Sequence, residues 1–436
     1  MPRAPVLLFL FTVALYAPGL GGGFIYDDEQ LLVESSRVIT VGPRKAFTTD
    51  YWGVTEGVWQ SPTYRPSIHY RPVAMLAYSG TYRLFGLSPF AFHAVDILLH
   101  AAAVVALYIL VLGLGWGEAV GAACAALFAV HPLHVEAVAW MAGLPETLAG
   151  VAVLGSLALF VHRRYAWSWV LAAVALLTKE TALVLPALVL VLASGPVRAR
   201  IRAALPYVLL DACYLVARVL VLPSPPGGTL LQSVVAGLST MPAIAAHYVR
   251  TLFFPWPLAL DYVIPGALQI AVAAAIVGIV VFFRRVPGML KAAAMAALPL
   301  LLPVAATPAM YALKIQDRYT YLATAGACLA VALLLRRLPG RGLLLACFLL
   351  VPLGALGTYL QIQFWQDNET QWTHTLEVTP SSRFGALDLG YAMYVESRFG
   401  EAERVFRNAL RYHPDDVELK RNLAIVEKEQ HKRRAQ

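Results

Sequence analysis

"GGGFIYDDEQ" (21–30) brings Asp27, Asp28 and Glu29 together directly after the first apolar run of the chain. A carboxylate held against a hydroxyl and kept from water is a general base. Adjacent carboxylates also serve as ligands of hard cations, or simply as a solvated helix exit. Three further clusters carry groups of comparable reach. In "HPLHVEAVAW" (131–140), His131 and His134 stand three residues apart, the spacing of one helical face, with Glu136 near. Alone, that cluster admits a metal site, a polar helix end or the wall of a substrate cavity, and a metal would need further ligands and a shell to orient them. "LLTKETALVLPAL" (176–188) sets Lys179 and Glu180 between two short apolar runs, and "KIQDRYTYLA" (314–323) puts Arg318 at the entrance of another. For Lys179 the alternatives are a pair with Glu180 or a cation presented to an anion. For Arg318 they are an interaction with Asp317 or a phosphate contact. Arg71 lies in "HYRP" (69–72), the end of a loop that also carries Asp50, Tyr51, Trp52, Trp59, Tyr64 and Arg65. The aromatics of that loop also suit a membrane-interface belt.

The elements that position these groups follow from composition. Of 436 residues, 59% are hydrophobic and 14% charged, against about 25% charged in soluble domains. Within hydrocarbon only helices or closed barrels satisfy the backbone. Leu- and Ala-rich runs of helix length without period-2 alternation choose helices. The expected fold is an all-α polytopic membrane bundle. The net charge of +8 comes largely from short basic clusters between spans, which set orientation and do not call for a nucleic-acid partner. The four cysteines lie in apolar stretches without metal-ligand spacing and read as small core residues. The N-terminal run has one basic residue and no clear cleavage site, so it is expected to remain as a first helix.

Apolar runs predict about eleven spans, near 5–20, 91–112, 118–131, 143–161, 166–177, 181–193, 203–222, 267–283, 288–306, 319–335 and 342–362. If 237–256 does not cross, Arg3, Arg163–Arg164, Arg198, Arg200, Arg202, Arg284–Arg285, Arg336–Arg337 and Arg341 all fall on one side, the cytoplasmic one by the positive-inside rule. All four polar clusters then share the outer face. The runs flanking Lys179 rise only about 20 Å each in a core about 30 Å thick. Lys179 and Glu180 therefore lie below the surface, where ionisable groups face a cavity or a partner. Group transfer on the outer face favours a membrane-borne donor whose phosphate such cations would bind.

Residues 1–362 form the expected membrane domain, with an outer loop at 21–90 that includes an amphipathic surface helix at 73–88. Residues 363–436 form a polar tail. In the tail Pro380 and Pro414, Trp372 and Phe406, Thr375 and Ala409, and Leu376 and Leu410 repeat at an offset of 34, the period of a tetratricopeptide helix pair. Helices are expected near 364–377, 383–396, 399–411 and 415–431.

"FIYDDEQLL", "YRPVAML", "LFGLSPFAFHAVDILLH", "HPLHVEAVAW", "TKETALVLPALVL" and "QDRYTYLATAG", in this order before a tetratricopeptide tail, resemble the transmembrane-and-tetratricopeptide O-mannosyltransferases and their bacterial relatives in the GT-C superfamily. The resemblance implies an inverting transferase that moves a sugar from a polyprenyl-phosphate carrier to a hydroxyl acceptor, with protein Ser/Thr the expected one. It places the family's acidic motif on Asp27 and Asp28, with Asp27 favoured as base. It puts Lys179 and Arg318 near the lipid phosphate, Arg71 on a loop of the family, and His131, His134 and Glu136 on the cavity motif; Glu180 joins the substrate cavity beside Lys179. No cofactor is required beyond the lipid-linked donor, and a divalent metal is not indicated. Membrane lipids and a protein bound through the repeats are the implied partners. The chain departs from animal members in its short repeat tail and in "GLPET" at 143–147, where many relatives show a more charged turn. The short tail suggests a bacterial inner-membrane protein with its tail outside. A flippase, which would show inverted halves, and a non-catalytic anchor for the repeats are the rival readings.

Overall fold

A computed structural model describes residues 3–34, 36–52, 69–222, 240–262, 267–310 and 315–435. Trp59, Tyr64, Arg65, Lys314 and the stretch 223–239 lie outside the described residues. The described residues are helical, with no strand among them. The helices of eight or more residues are α1 (Arg3–Tyr16), α2 (Pro72–Phe85), α3 (Pro89–Gly113), α4 (Glu118–Ala129), α5 (Leu144–Val161), α6 (Tyr165–Thr178), α7 (Leu185–Leu192), α8 (Val197–Val221), α9 (Met241–Thr251), α10 (Ala267–Phe282), α11 (Met289–Met310), α12 (Tyr321–Leu335), α13 (Gly342–Gln363), α14 (Asn368–Val378), α15 (Arg383–Val395), α16 (Phe399–Leu410) and α17 (Val417–Ala435).

Every expected span is helical, but the helices divide by length. Six stretches are long and apolar enough to cross a membrane: Arg3–Gly21, Pro89–Gly113, Met141–Val161, Val197–Val221, Asp317–Leu335 and Gly342–Gln363. A seventh is available if α4 and the short Pro132–Val138 segment, bent by 53°, count as one. Tyr165–Thr178, Glu180–Leu192 and Met289–Ala305 are shorter, and two of these meet at the polar turn that holds Lys179. The 11 residues of α9 rise about 16 Å, too little to cross.

The buried core runs through α3, α4, α5 and α12. Small residues bring these helices close, as packing between apolar helices in lipid requires. A Cβ at Gly326 on α12 would meet the α11 backbone at Ala296. Outward faces of α8 and α13 instead expose large apolar side chains, among them Leu209, Leu220, Phe348 and Leu353, as lipid-facing helices do. Cys124 and Cys328 are buried as expected; Cys213, however, is exposed on α8, because its side of that helix faces away from the bundle.

One end of the bundle collects the basic loops. Arg336 donates to the Trp116 carbonyl, Lys291 to that of Leu192, and Gly288 packs on the Trp116 ring. The opposite end carries the polar clusters and the tail. There α2 lays Ala74, Met75 and Tyr78 inward and leaves Leu84 and Phe85 exposed, the amphipathic pattern expected of a surface helix.

Helices α14–α17 follow each other as antiparallel neighbours close to the expected boundaries. Asp367 caps α14 by accepting from the Thr370 amide at 2.8 Å, and Ser382 caps α15 through the Gly385 amide at 2.9 Å. Gly390 lets α15 sit on the Phe406 ring of α16, whose Cζ would lie 2.3 Å from an added Cβ. Gly390→Ala should therefore overpack this contact and destabilise the tail by about 1–3 kcal/mol. Limited proteolysis of the full chain would report this as faster cleavage after residue 363; unchanged cleavage would count against it.

Candidate active site

The acidic loop takes its shape from one unusual residue. Tyr26 has φ 49°, the left-handed region that non-glycine residues seldom enter. The turn drives Asp27 and Asp28 in different directions. Asp28 is fully buried, and both its oxygens are occupied: Oδ2 accepts from the Ile25 amide at 3.1 Å and Oδ1 from the Ala142 amide at 2.6 Å. Burial pushes its carboxyl well above the usual range, against the backbone N–H groups that favour the charge. Asp28 thus ties the first loop to the start of α5. Asp27 is half-buried and lies within electrostatic reach of the Arg318 guanidinium and the Tyr26 ring.

Asp28→Asn would turn an amide N–H toward one of these backbone donors. The expected cost is about 1–3 kcal/mol, read as a lower thermal midpoint; a midpoint equal to the parent's would contradict the role.

Three cations gather next to this loop, each from a different part of the chain. Arg71, at the start of α2, forks onto Glu180: Nε donates to Oε2 at 3.0 Å and Nη2 to Oε1 at 2.8 Å. His69 Nδ1 lies 2.7 Å from the same Oε1. Lys179, in the turn after α6, is paired with Glu146 on α5, both about 5% exposed. Arg318 donates through Nη1 to Glu136 Oε1 at 2.5 Å, and its backbone amide reaches Oε2 at 3.2 Å. Its Nε lies 3.9 Å from Glu146. One ring sits among them, since Tyr319 has Lys179 Nζ 5.2 Å and Arg318 Cζ 5.3 Å from its centroid. Arg318 also lies 4.5 Å over the Trp140 ring, a cation–π geometry.

Three cations against three carboxylates make a balanced network, as buried charge requires. Lys179 and Glu180 do not pair with each other. Each reaches another element, which sets Lys179 beside Arg71 and Arg318. Asp317 likewise leaves Arg318 and turns to Tyr262 and His247, with His247 Nε2 at 3.7 Å. Such a group of cation side chains on aromatic rings suits a phosphate, which can replace the carboxylates by charge-assisted hydrogen bonds.

Of the histidine cluster, only Glu136 reaches this network. His131 Nδ1 accepts from the Leu133 amide at 3.4 Å, and its Nε2 faces the Leu252 carbonyl at 3.2 Å. His134 is buried, 2.6 Å from Thr324 Oγ1 and packed on Phe128 and Tyr321. The three side chains point to three different partners and do not converge as ligands; among the described residues no group of His, Cys, Asp and Glu is placed to hold a metal.

The sequence reading missed Glu146 as the partner of Lys179, along with Trp140 and Tyr319 as the rings under the cations. The only signal for Glu146 was a lone carboxylate inside an apolar run. At a helix start that is also what the helix dipole favours.

A bundle of apolar helices with this charged network at one end defines an integral membrane protein. Sequence comparison gives its kinship. The chain is 34% identical over 149 residues to the human protein O-mannosyl-transferase TMTC1, covering 34% of this chain and 16% of that one. It is 33% identical over 202 residues to Tmtc2 of Drosophila melanogaster, covering 40% and 20%. It is 30% identical over 172 residues to F38B6.6 of Caenorhabditis elegans, also a protein O-mannosyl-transferase by name, covering 37% and 23%. The resemblance implied by the motifs is thus shown: the chain is similar to TMTC-type protein O-mannosyl-transferases. The matches span less than a quarter of those relatives' length. No family model matches the chain, and no solved structure does.

Proposed function

We propose that this chain is an inverting glycosyltransferase that moves a sugar, mannose or one like it, from a polyprenyl-phosphate carrier to a protein Ser or Thr hydroxyl. The observation that carries the reading is the gathering of Lys179 and Arg318 around Tyr319, with Arg71 within electrostatic reach of Lys179 and Asp27 within electrostatic reach of Arg318. In the proposed step Asp27 takes the proton of the acceptor hydroxyl, and its oxygen attacks the anomeric carbon. The bond from that carbon to the phosphate oxygen breaks with inversion. Polyprenyl phosphate leaves with its developing charge held by Lys179 and Arg318. Glu136, Glu146 and Glu180 orient these cations before the donor arrives. No cofactor beyond the lipid-linked sugar enters the step.

The reading includes eleven spans, the shorter helices crossing around the polar turns, and an outer-face site. The clustering of basic loops at the opposite end supports that sidedness. It also takes α14–α17 as a short tetratricopeptide module that docks the acceptor. The 34-residue offset and a cleft of about 320 Å³ beside Leu376, Pro380, Ala409 and Tyr412 support this. In a bacterial cell the tail would lie in the periplasm.

The test is the purified chain in liposomes with polyprenyl-phosphate mannose and a Ser/Thr-rich peptide. Mass spectrometry should find hexosylated peptide. Movement of the sugar lipid across the bilayer with no glycosylated product would overturn the reading in favour of a flippase.

A further inference from the structure

The tail grips the candidate site from two sides through α14 and the residues that flank it. On one side, Asn368 Oδ1 accepts from the Tyr26 amide at 2.8 Å, and its Nδ2 donates to Glu29 Oε1 at 3.0 Å. Gln366, just before α14, accepts from the Gly23 amide at 2.9 Å. Tyr26 is the residue in the left-handed conformation, so this clamp falls where the loop most needs an outside hold. The Tyr26 ring is stacked on Trp140, centroids 5.9 Å apart, and meets the edge of Trp372 of α14 at 5.1 Å. Trp140 in turn underlies Arg318.

On the other side, His374 Nε2 lies 2.9 Å from the Leu258 carbonyl, and Thr375 Oγ1 accepts from the Leu260 amide at 3.5 Å. Ser382, just after α14, donates to Asp261 at 2.7 Å. The segment so held carries Tyr262, whose hydroxyl is bonded to Asp317, the neighbour of Arg318.

We infer that α14 is a positioning element of the transfer site, and that Asn368 is the residue through which it sets the Asp27 carboxylate. This rests on the proposed reading of Asp27 as base. Asn368 acts through the Tyr26 backbone and touches neither donor nor acceptor. Its effect falls on turnover: a displacement of about 1 Å at a reacting group lowers a rate on the order of 10²-fold, whereas Asn368 itself bonds to Tyr26 and Glu29 and to none of the cations proposed to hold the donor. The tail is accordingly a wall of the site as well as a docking module.

The experiment compares Asn368→Ala with the double variant Glu29→Gln/Asn368→Asp in the full chain. Asp367, not Asn368, caps α14, so alanine leaves the helix start intact; in the double variant aspartate keeps an acceptor oxygen for the Tyr26 amide, and glutamine at 29 donates to it in place of the Asn368 amide's donation to Glu29. The expected result for Asn368→Ala is a kcat lower by about 10²-fold, with KM for the sugar lipid within about twofold of the parent's. Hydrogen exchange should show the Tyr26 amide deprotected. Glu29→Gln/Asn368→Asp should restore that protection and most of kcat. Unchanged protection in Asn368→Ala, or lost protection with kcat unchanged, would overturn the inference. So would an equal loss of kcat in both variants, or a fall confined to KM. If the parent chain transfers no sugar, the function reading fails, while the exchange arm still decides whether Asn368 holds the loop.

Discussion

Asp27→Asn should lower the rate of sugar transfer by about 10²–10⁴-fold, the usual contribution of a positioned general base, with donor binding intact. The two adjacent carboxylates are unequal in the structure. Asp28 spends both oxygens on backbone amides inside the protein and is fully buried, out of reach of an acceptor hydroxyl. Asp27 stays half-buried and within electrostatic reach of Arg318, one of the cations proposed to hold the leaving phosphate. The amide of asparagine matches the carboxylate in shape but takes no proton, so the loss belongs to kcat. The measurement is the initial rate of peptide glycosylation with saturating sugar lipid, alongside the affinity for that lipid. Turnover at the parent's rate in Asp27→Asn would remove Asp27 from the mechanism.

Glu146→Gln should be the most destabilising single substitution in the site. Lys179 is only 4% exposed, and its ion-pair partner is Glu146, with Arg71 and Arg318 nearby. Removing one member of a buried pair costs about 3–5 kcal/mol, since the other charge is left without compensation. Replacing both should be far milder, so Lys179→Met combined with Glu146→Gln should regain most of the thermal midpoint. It should not regain the donor. A charge-assisted hydrogen bond to phosphate contributes about 1.5–3 kcal/mol, so affinity for polyprenyl phosphate should stay down by roughly 10- to 100-fold. A midpoint for Glu146→Gln equal to the parent's would show that the pair does not stabilise the bundle. Full donor affinity in the double variant would show that Lys179 does not meet the phosphate.

Much of the fold was legible because local signals carried it. Apolar runs gave helices at every expected span, and the 34-residue offset gave the tail helices within a few residues. Partnerships across the chain were not legible. Arg71 meets Glu180 across 109 positions and Arg318 meets Glu136 across 182, and no spacing rule links them. Adjacency left two places open, since Lys179–Glu180 and Asp317–Arg318 look like ready pairs in sequence, yet each residue turns to a partner elsewhere in the chain. The choice between Asp27 and Asp28 depends on the left-handed Tyr26, a conformation that tyrosine rarely adopts and so does not announce. Asn368 was equally hidden, since a polar residue at a helix start has an ordinary local explanation.

The central claim is that one site brings a lipid phosphate to Lys179 and Arg318 with Asp27 facing the sugar. A structure of Asp27→Asn bound to polyprenyl-phosphate mannose tests it most directly. The account predicts the phosphate within hydrogen-bond distance of the Lys179 ammonium and the Arg318 guanidinium, and the anomeric carbon open toward residue 27. A phosphate bound at the basic end, near Arg163 and Arg336, or a sugar directed away from residue 27, would contradict it.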